Sequence, residues 1–239
     1  MSVMQFREDP YLKEAPSTVK GITPEGGIIL AQSLFYPTGG GQPGDSGWIS
    51  WDGLEMPIAT TVKGEGEDIV VVPAEAQALP PVGAKITQRL DWERRHKHMR
   101  VHTALHLLSV AIPFGVTGGQ ISANYGRLDF DMPEAPSDRD EIEDVLNSFV
   151  TFDAPVYETW ITAEELDANP QLVKTMAVKP PRGAGQIRLV RIGPEDDWID
   201  IQPCGGTHVA RTGEIGALRL GKIEKKGRMN RRVYLHLDS

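Results

Sequence analysis

The segment from Asp91 to Ile112 constrains the fold most, because it contains neither glycine nor proline and is rich in helix-forming residues. It predicts a helix that ends before Pro113. On either side of it, short β-prone runs alternate with glycine, proline and aspartate, which is typical of strands joined by tight turns. A long helix between two β-rich regions predicts an α+β protein.

We expect two domains, with a boundary at the start of this helix. Residues 1–90 show the pattern of a small barrel or sandwich, and we expect a β-barrel-like domain, whose β-prone runs begin at Gly27, Trp48, Met56, Ile69 and Lys85. Residues 91–239 predict an α+β sandwich with one antiparallel sheet. Its strands are expected at 121–130, 186–192, 198–201, 217–223 and 231–237. Two further helices should follow an N-cap at Ser137 and a capping box formed by Thr162 and Glu165.

Composition excludes several classes of protein. No stretch approaches the roughly 20 apolar residues that a membrane span needs. The charged N-terminal residues do not resemble a secretory signal, so a cytoplasmic location is expected. The chain has one cysteine, which excludes an intramolecular disulfide and leaves Cys204 available as a ligand, a nucleophile or a core residue.

Two pairs of residues have the spacing of metal ligands. His102 and His106 lie one helical turn apart, so both imidazoles can reach one ion. Cys204 and His208 repeat that interval across two glycines, which allow a tight loop. One thiolate and three imidazoles suit a single tetrahedral Zn²⁺. The alternatives are a nucleophilic cysteine with a nearby histidine, and a structural cluster without metal. Thr103 replaces the glutamate of an H-E-x-x-H motif, so the general base of that protease class is missing.

A glycine-rich motif has no clear role from its residues alone. It comprises Gly39, Gly40, Gly41, Gln42, Gly44 and Asp45. Its formal match to G-x-G-x-x-G does not indicate dinucleotide binding, because Pro43 and Gly47 lead into a strand and not into a helix. Two interpretations stay open: a glycine-rich β-turn, and a loop whose backbone approaches an adjacent surface or an RNA backbone closely.

Basic residues are concentrated in two places although the net charge is -8. One cluster lies between Lys85 and Arg100, and the other between Lys222 and Arg232. They predict contacts with a localised anionic partner, and the alternative is a pair of solvated surfaces. The candidate phosphate-binding residues are Arg94, Arg95, Lys97, Lys225, Lys226, Arg231 and Arg232.

The segments that begin at His102 and Cys204 resemble the two zinc-binding signatures of the alanyl-tRNA synthetase editing domain. The glycine-rich motif resembles the one that precedes that domain. All three occur in the family's order, and the chain has no room for the synthetase's other modules. It is therefore similar to the stand-alone alanyl-tRNA editing proteins of the AlaX type, medium-length form. It departs from the synthetase pattern two residues before Cys204, where it has Gln202, and the nearest acid is Asp200.

The resemblance implies hydrolysis of mischarged tRNA(Ala), chiefly Ser-tRNA(Ala), with Gly-tRNA(Ala) as a second candidate. It implies one Zn²⁺ held by His102, His106, Cys204 and His208. Whether that ion is catalytic or structural is left open. A pocket that accepts the serine hydroxyl is expected to use Gln120, Ser122, Asn124 or Thr207.

Two rival functions remain at this point. One is a zinc-stabilised RNA-binding module without catalysis, which would bind tRNA and leave the ester intact. The other is a metallohydrolase of small esters or amides, whose activity would depend neither on the basic clusters nor on salt.

Overall fold

The computed structural model describes residues 1–175 and 185–238. The chain forms two compact units, Met1–Lys97 and His98–Ser239, and the division between them falls inside the long helix. The predicted α+β class is confirmed, with a closed antiparallel barrel and further antiparallel sheets.

The first unit consists mainly of strands. Its elements are β1 Val3–Met4, α1 Gln5–Glu8, β2 Glu14–Ile22, β3 Ile28–Leu30, β4 Gln32–Ser33, β5 Gly47–Trp51, β6 Leu54–Lys63, β7 Ile69–Pro73 and β8 Lys85–Leu90. Strands β2, β3, β7, β6, β5 and β8 close into a barrel in that order, which confirms the barrel prediction. Alternate residues of each strand point into the core, as Gly47, Ile49 and Trp51 do on β5.

The long helix α2 spans Trp92–Ala111, within a residue of each predicted end. The Asp91 carboxylate accepts a hydrogen bond from the Arg94 amide at 3.3 Å, so it caps the first turn. At the other end Pro113 cannot continue the helix, because it lacks an amide hydrogen.

The remaining elements belong to the second unit. They are β9 Val116–Ile121, β10 Tyr125–Asp131, α3 Arg139–Phe152, β11 Val156–Thr162, α4 Ala163–Ala168, β12 Gln186–Ile192, β13 Asp200–Pro203, β14 Leu218–Lys225 and β15 Asn230–Leu237, with 3-10 turns at Pro170–Leu172 and Thr212–Ile215. The strands form two antiparallel sheets, not the single sheet that was expected. One has the order β14, β15, β10, β9, and the other has the order β11, β12, β13.

Helix α2 packs closely on the four-stranded sheet at Gly126. A Cβ atom there would lie 2.7 Å from the side chain of Val101 and 2.9 Å from that of Leu105. Only glycine therefore allows the helix to approach this strand. Because side chains alternate along β10, Gly126 and Leu128 face the helix, and Arg127 and Asp129 lie on the outer face of the sheet.

Two local predictions need correction, and a third is confirmed. Helix α3 is capped by Asp138 and not by Ser137, because the Asp138 carboxylate accepts the Glu141 amide hydrogen. The strand expected at 121–130 is a hairpin in which β9 ends at Ile121 and β10 begins at Tyr125. The capping box of Thr162 and Glu165 at helix α4 is confirmed.

Candidate metal centre

The four predicted ligand residues meet at one point of the second unit. His102 and His106 come from α2, and Cys204 and His208 come from the loop that follows β13. One ligand atom from each residue lies within 4.8 Å of the other three. Cys204 Sγ is 3.4 Å from His102 Nε2 and 3.3 Å from His208 Nε2. The three histidines are buried, so the cluster is largely shielded from water.

The loop that carries Cys204 is held by an arginine that sequence reasoning did not single out. Arg188 of β12 donates to the carbonyl oxygens of Cys204 at 2.7 Å and Gly206 at 3.0 Å. Its guanidinium is in turn paired with Glu158 of β11. Alternation along β12 indicates which face Arg188 occupies, but no sequence pattern could show that its partners are loop carbonyls.

Hydrogen bonds outside the cluster fix the orientation of two imidazoles. His106 Nδ1 lies 3.0 Å from Asp200 Oδ2, and His208 Nδ1 lies 3.1 Å from Thr103 Oγ1. The Thr103 hydroxyl donates to the Met99 carbonyl at 3.0 Å, so its oxygen accepts from His208 Nδ1–H. In both histidines Nδ1 then carries a hydrogen, so Nε2 is the nitrogen that is directed at a metal ion.

The charges in the cluster act on one another strongly. Burial lowers the pKa of His106, but the hydrogen bond to Asp200 and the nearby Cys204 thiolate raise it to about 9. Burial raises the pKa of Asp200, yet His106 and Lys174 bring it down to about 2. Burial opposes ionisation of Cys204, while His102 and His208 hold its pKa well below the usual value. The thiol is therefore in the thiolate form that binds metals.

Burial and the neighbouring charge of His102 hold the pKa of His208 well below its ordinary value. This imidazole is consequently neutral, which is the form that ligates a metal. His106 carries a proton that an incoming cation must displace. The donor set of one thiolate and three nitrogens, with two nitrogens already oriented, fits a borderline-soft divalent ion. The cluster could therefore hold a metal ion.

Asp200 is the most important residue of the site that sequence reasoning failed to assign. Its carboxylate accepts from Lys174 Nζ at 2.5 Å and from Gln202 Nε2 at 2.7 Å, in addition to its contact with His106. Gln202 also donates to Ser109 Oγ at 3.2 Å. The available signal was position: Asp200 and Gln202 are two apart on β13, so they share a face of the strand.

The four predicted pocket residues lie in different surroundings. Gln120 pairs with Arg127 across the sheet and accepts from its Nε at 3.2 Å, so it points to the outer face, away from α2. Its position gives no support to a contact with the serine hydroxyl, which stays a prediction. Ser122 and Asn124 lie in the turn between β9 and β10. Thr207 is buried immediately before the ligand His208.

The glycine-rich motif forms a compact turn of the first unit. Gly39 and Gln42 exchange backbone hydrogen bonds, and Gly40 and Gly41 between them have φ values of 57° and 83°. These left-handed conformations are ones that glycine adopts readily. A Cβ atom at Gly44 would lie 2.0 Å from the Thr61 carbonyl oxygen, so a neighbouring strand does approach the motif closely.

Asp45, the last residue of the motif, forms a buried ion pair with Arg95. Arg95 Nε lies 2.8 Å from Asp45 Oδ2, and its Nη2 also donates to the Leu34 carbonyl at 2.8 Å. The exposed fraction is 1% for both Asp45 and Arg95. The prediction that Arg95 binds phosphate is therefore wrong, because its guanidinium is already saturated inside the protein.

The other basic residues differ in exposure. Arg231 is buried and donates to the carbonyls of Gly227 and Asn230, so it is not a phosphate contact either. Arg94 donates to the Gly44 carbonyl at 2.8 Å, Arg232 is paired with Asp129, and Lys226 with Glu224. Among the residues that the structure describes, the candidates that are exposed and free of an ion pair are Lys97 and Lys225.

Within the described ranges, 1–175 and 185–238, no helix is both long and apolar enough to cross a membrane.

Two family models match the chain. Residues 187–234 match the threonyl and alanyl tRNA synthetase second additional domain, and this range includes Cys204 and His208. Residues 3–94 match the tRNA synthetases class II (A). The two matches follow one another along the chain, one in each unit.

Similarity to individual proteins extends over the whole chain. The alanyl-tRNA editing protein AlaX-M of Methanosarcina acetivorans is 32% identical, with 99% of each chain covered. AlaX-M of Methanosarcina mazei is also 32% identical, over 96% of this chain and 94% of its own. Alanine–tRNA ligase of Pyrobaculum arsenaticum is 35% identical over 92% of this chain, which matches 25% of the ligase. The chain belongs to the family of alanyl-tRNA editing proteins of the AlaX-M type.

Proposed function

We propose that this protein hydrolyses the ester bond of mischarged tRNA(Ala), chiefly Ser-tRNA(Ala), with Gly-tRNA(Ala) as a second substrate. The observation that carries the proposal is the buried cluster of His102, His106, Cys204 and His208 in a chain of the AlaX-M family. An ester hydrolase with such a cluster needs no nucleophilic side chain, because water is the attacking group.

The resident ion in this proposal is a single Zn²⁺. When bound to these four residues, such an ion would supply a Lewis acid that polarises an ester carbonyl oxygen. The surrounding residues keep the ligands in place: Asp200 and Thr103 hold the outer nitrogens of His106 and His208, and Arg188 holds the ligand loop. Such outer contacts stabilise the orientation and tautomer that a ligand needs.

The tRNA backbone would meet exposed lysines. Lys97 and Lys225 are exposed and unpaired by carboxylates in the described part of the chain, and each can attract a phosphate. Arg94, Lys226 and Arg232 can contribute in part, since their existing hydrogen bonds compete with phosphate.

Selection of serine would depend on a hydroxyl partner near the cluster. Thr207 adjoins the ligand His208 and is buried, and Ser122 and Asn124 lie at the β9–β10 turn. A buried polar group that pairs with the serine hydroxyl is left unpaired by alanine, which is how such a site rejects the correct aminoacyl group.

Deacylation of a panel of charged tRNAs tests the proposed function. Purified protein is assayed with Ser-, Gly- and Ala-tRNA(Ala) while its zinc content is measured. We expect Ser-tRNA(Ala) to be hydrolysed fastest, Ala-tRNA(Ala) to be spared, and activity to follow the zinc content. The matched control is His96→Ala, because His96 lies on the same helix but stacks on Trp92 outside the cluster.

Other results would support the rival functions. Binding of tRNA without loss of the ester indicates an RNA-binding module. Hydrolysis of small esters at rates that ignore salt and the tRNA moiety indicates a general metallohydrolase. Either result contradicts the proposal, since salt must weaken a reaction that depends on phosphate contacts.

A further inference from the structure

Trp160 differs from the other tryptophans in its surroundings. Trp48 lies under the Arg89 guanidinium, Trp92 stacks on His96, and Trp198 lies under Arg191. Trp51 is buried in the barrel core. Trp160 is 45% exposed and, within the described residues, its ring has neither an aromatic nor a cationic partner. An exposed indole face of this kind is available to a ligand.

The position of Trp160 relates it to the ligand loop. On the edge strand β11 it pairs with Arg188 of β12, so the two side chains share a face of the sheet. Asp200 and Gln202 of β13 lie on that same face, which is the one that contacts His106 and Ser109 of α2. Trp160 therefore lies on the cluster side of the sheet.

Two strand spacings separate Trp160 from the cysteine ligand. The Cys204 amide donates to the Arg188 carbonyl, which places Cys204 beside β12 on the side opposite to β11. Since neighbouring strands lie about 4.8 Å apart, the two backbone positions are on the order of 10 Å apart. The Arg188 guanidinium, bound to the Cys204 and Gly206 carbonyls, spans part of this interval.

In an aminoacyl-tRNA, the distance between the ester and the terminal base is similar to this separation. The ester is carried by the ribose of the terminal adenosine, so the adenine base lies within a few bond lengths of the reacting carbonyl. A substrate whose ester meets the cluster must place this base nearby, and a base without a pairing partner is bound in proteins by stacking on an aromatic ring.

We propose that the indole of Trp160 stacks on the adenine at the 3′ end of the acceptor strand and so positions the ester at the cluster. The inference rests on the proposed function. Stacking tolerates any aromatic ring but not an aliphatic side chain, and its energy is available before the ester reacts. Loss of the ring should therefore raise KM and leave kcat nearly unchanged.

Kinetics of Trp160 variants on two substrates test this stacking. Trp160→Ala should raise KM for Ser-tRNA(Ala) about 10-fold, and Trp160→Phe should retain most of the affinity. Trp198→Ala is the matched control: Trp198 is 52% exposed, and its partner Arg191 lies on the opposite face of the sheet. On a tRNA whose terminal base has been removed, wild-type protein and Trp160→Ala should have the same KM.

A binding measurement separates this inference from the proposed function. Equilibrium binding of an uncharged RNA hairpin that ends in CCA should weaken about 10-fold in Trp160→Ala and little in Trp160→Phe. The binding measurement can be interpreted even if the wild-type protein hydrolyses no charged tRNA. That outcome would refute the proposed function and leave the stacking contact to be judged by binding. Unchanged hairpin affinity in Trp160→Ala, or an equal loss on the hairpin without its terminal base, overturns the stacking contact.

Discussion

Among the residues that the structure describes, each unit buries one carboxylate against a nitrogen-bearing side chain, but the partners differ. In the first unit Asp45 pairs with Arg95, and in the second Asp200 pairs with His106. The guanidinium of Arg95 has no acceptor nitrogen to offer a metal ion, so the first pair is a structural one. Histidine can release its proton while keeping the hydrogen bond to Asp200, so the second pair can support a metal ligand.

The glycines of the glycine-rich motif and of the Cys204–His208 loop also differ in their surroundings. Gly44 lies against the Thr61 carbonyl, and any side chain there would collide with the backbone. A Cβ atom at Gly205, between the ligands Cys204 and His208, would have no neighbour within 4 Å. Packing therefore requires glycine at position 44, whereas it leaves room for a side chain at position 205.

Removal of a ligand should have the largest effect. Cys204→Ala takes away the only thiolate, so we expect loss of bound zinc and a fall in deacylation of more than about 100-fold. Gly205→Ala in the same loop should keep both metal and activity, because its methyl group meets open space. Zinc content and initial rates measure both variants. Full activity in metal-free Cys204→Ala would contradict the assignment of the site.

Breaking the ion pair of the first unit should affect folding and not the metal. Asp45→Ala leaves the Arg95 charge buried and unpaired, which costs about 3–5 kcal/mol in the free energy of unfolding. Urea denaturation measures the change, and zinc content at low urea should stay the same. The double variant Asp45→Leu with Arg95→Met should recover part of the loss. A change under about 1 kcal/mol would show that the pair is not buried as described.

Asp200→Asn sharpens the comparison, because it keeps the shape of the side chain and removes its charge. His106 then loses the partner that favours Nδ1–H, and we expect zinc affinity to fall about 10- to 100-fold. Competition with a chelator gives the affinity. Asp197→Asn, an exposed aspartate just before β13, is the control and should change nothing. Equal affinities in the two variants would contradict a role for Asp200 in holding the ligand.

Proton competition should appear as a dependence of zinc affinity on pH. The pKa of His106 is raised to about 9, so near neutral pH the ion must displace its proton. Affinity should then rise with pH by about 10-fold per unit for one released proton, until the pH reaches that pKa. Chelator competition between about pH 6 and pH 8 measures the slope. Asp200→Asn should flatten it, because the lost charge lowers the pKa of His106. If the zinc affinity of the wild-type protein did not change with pH, zinc binding would not displace a proton from His106.

Sequence patterns predicted the site and the fold to different extents. Spacing alone indicated His102, His106, Cys204 and His208 as candidate ligands, since i and i+4 positions on a helix and a glycine loop both restrict geometry, and the structure brings these four side chains together. The barrel and helix α2 also followed from local composition and from the positions of glycine and proline. The division of the second unit into two sheets did not, because strand partners are chosen by contacts between residues far apart in the chain.

The sequence by itself determined which side chains can ligate a metal, where the helix that carries two of them begins and ends, and that glycine must occupy the tight turns. Tertiary structure alone decided which charged side chains are buried and which are exposed. Arg95 and Lys97 are two residues apart on one helix, yet the first is buried against Asp45 and the second is exposed. Burial and the partners of a charged group depend on which distant segments pack around it, and local sequence does not contain that information.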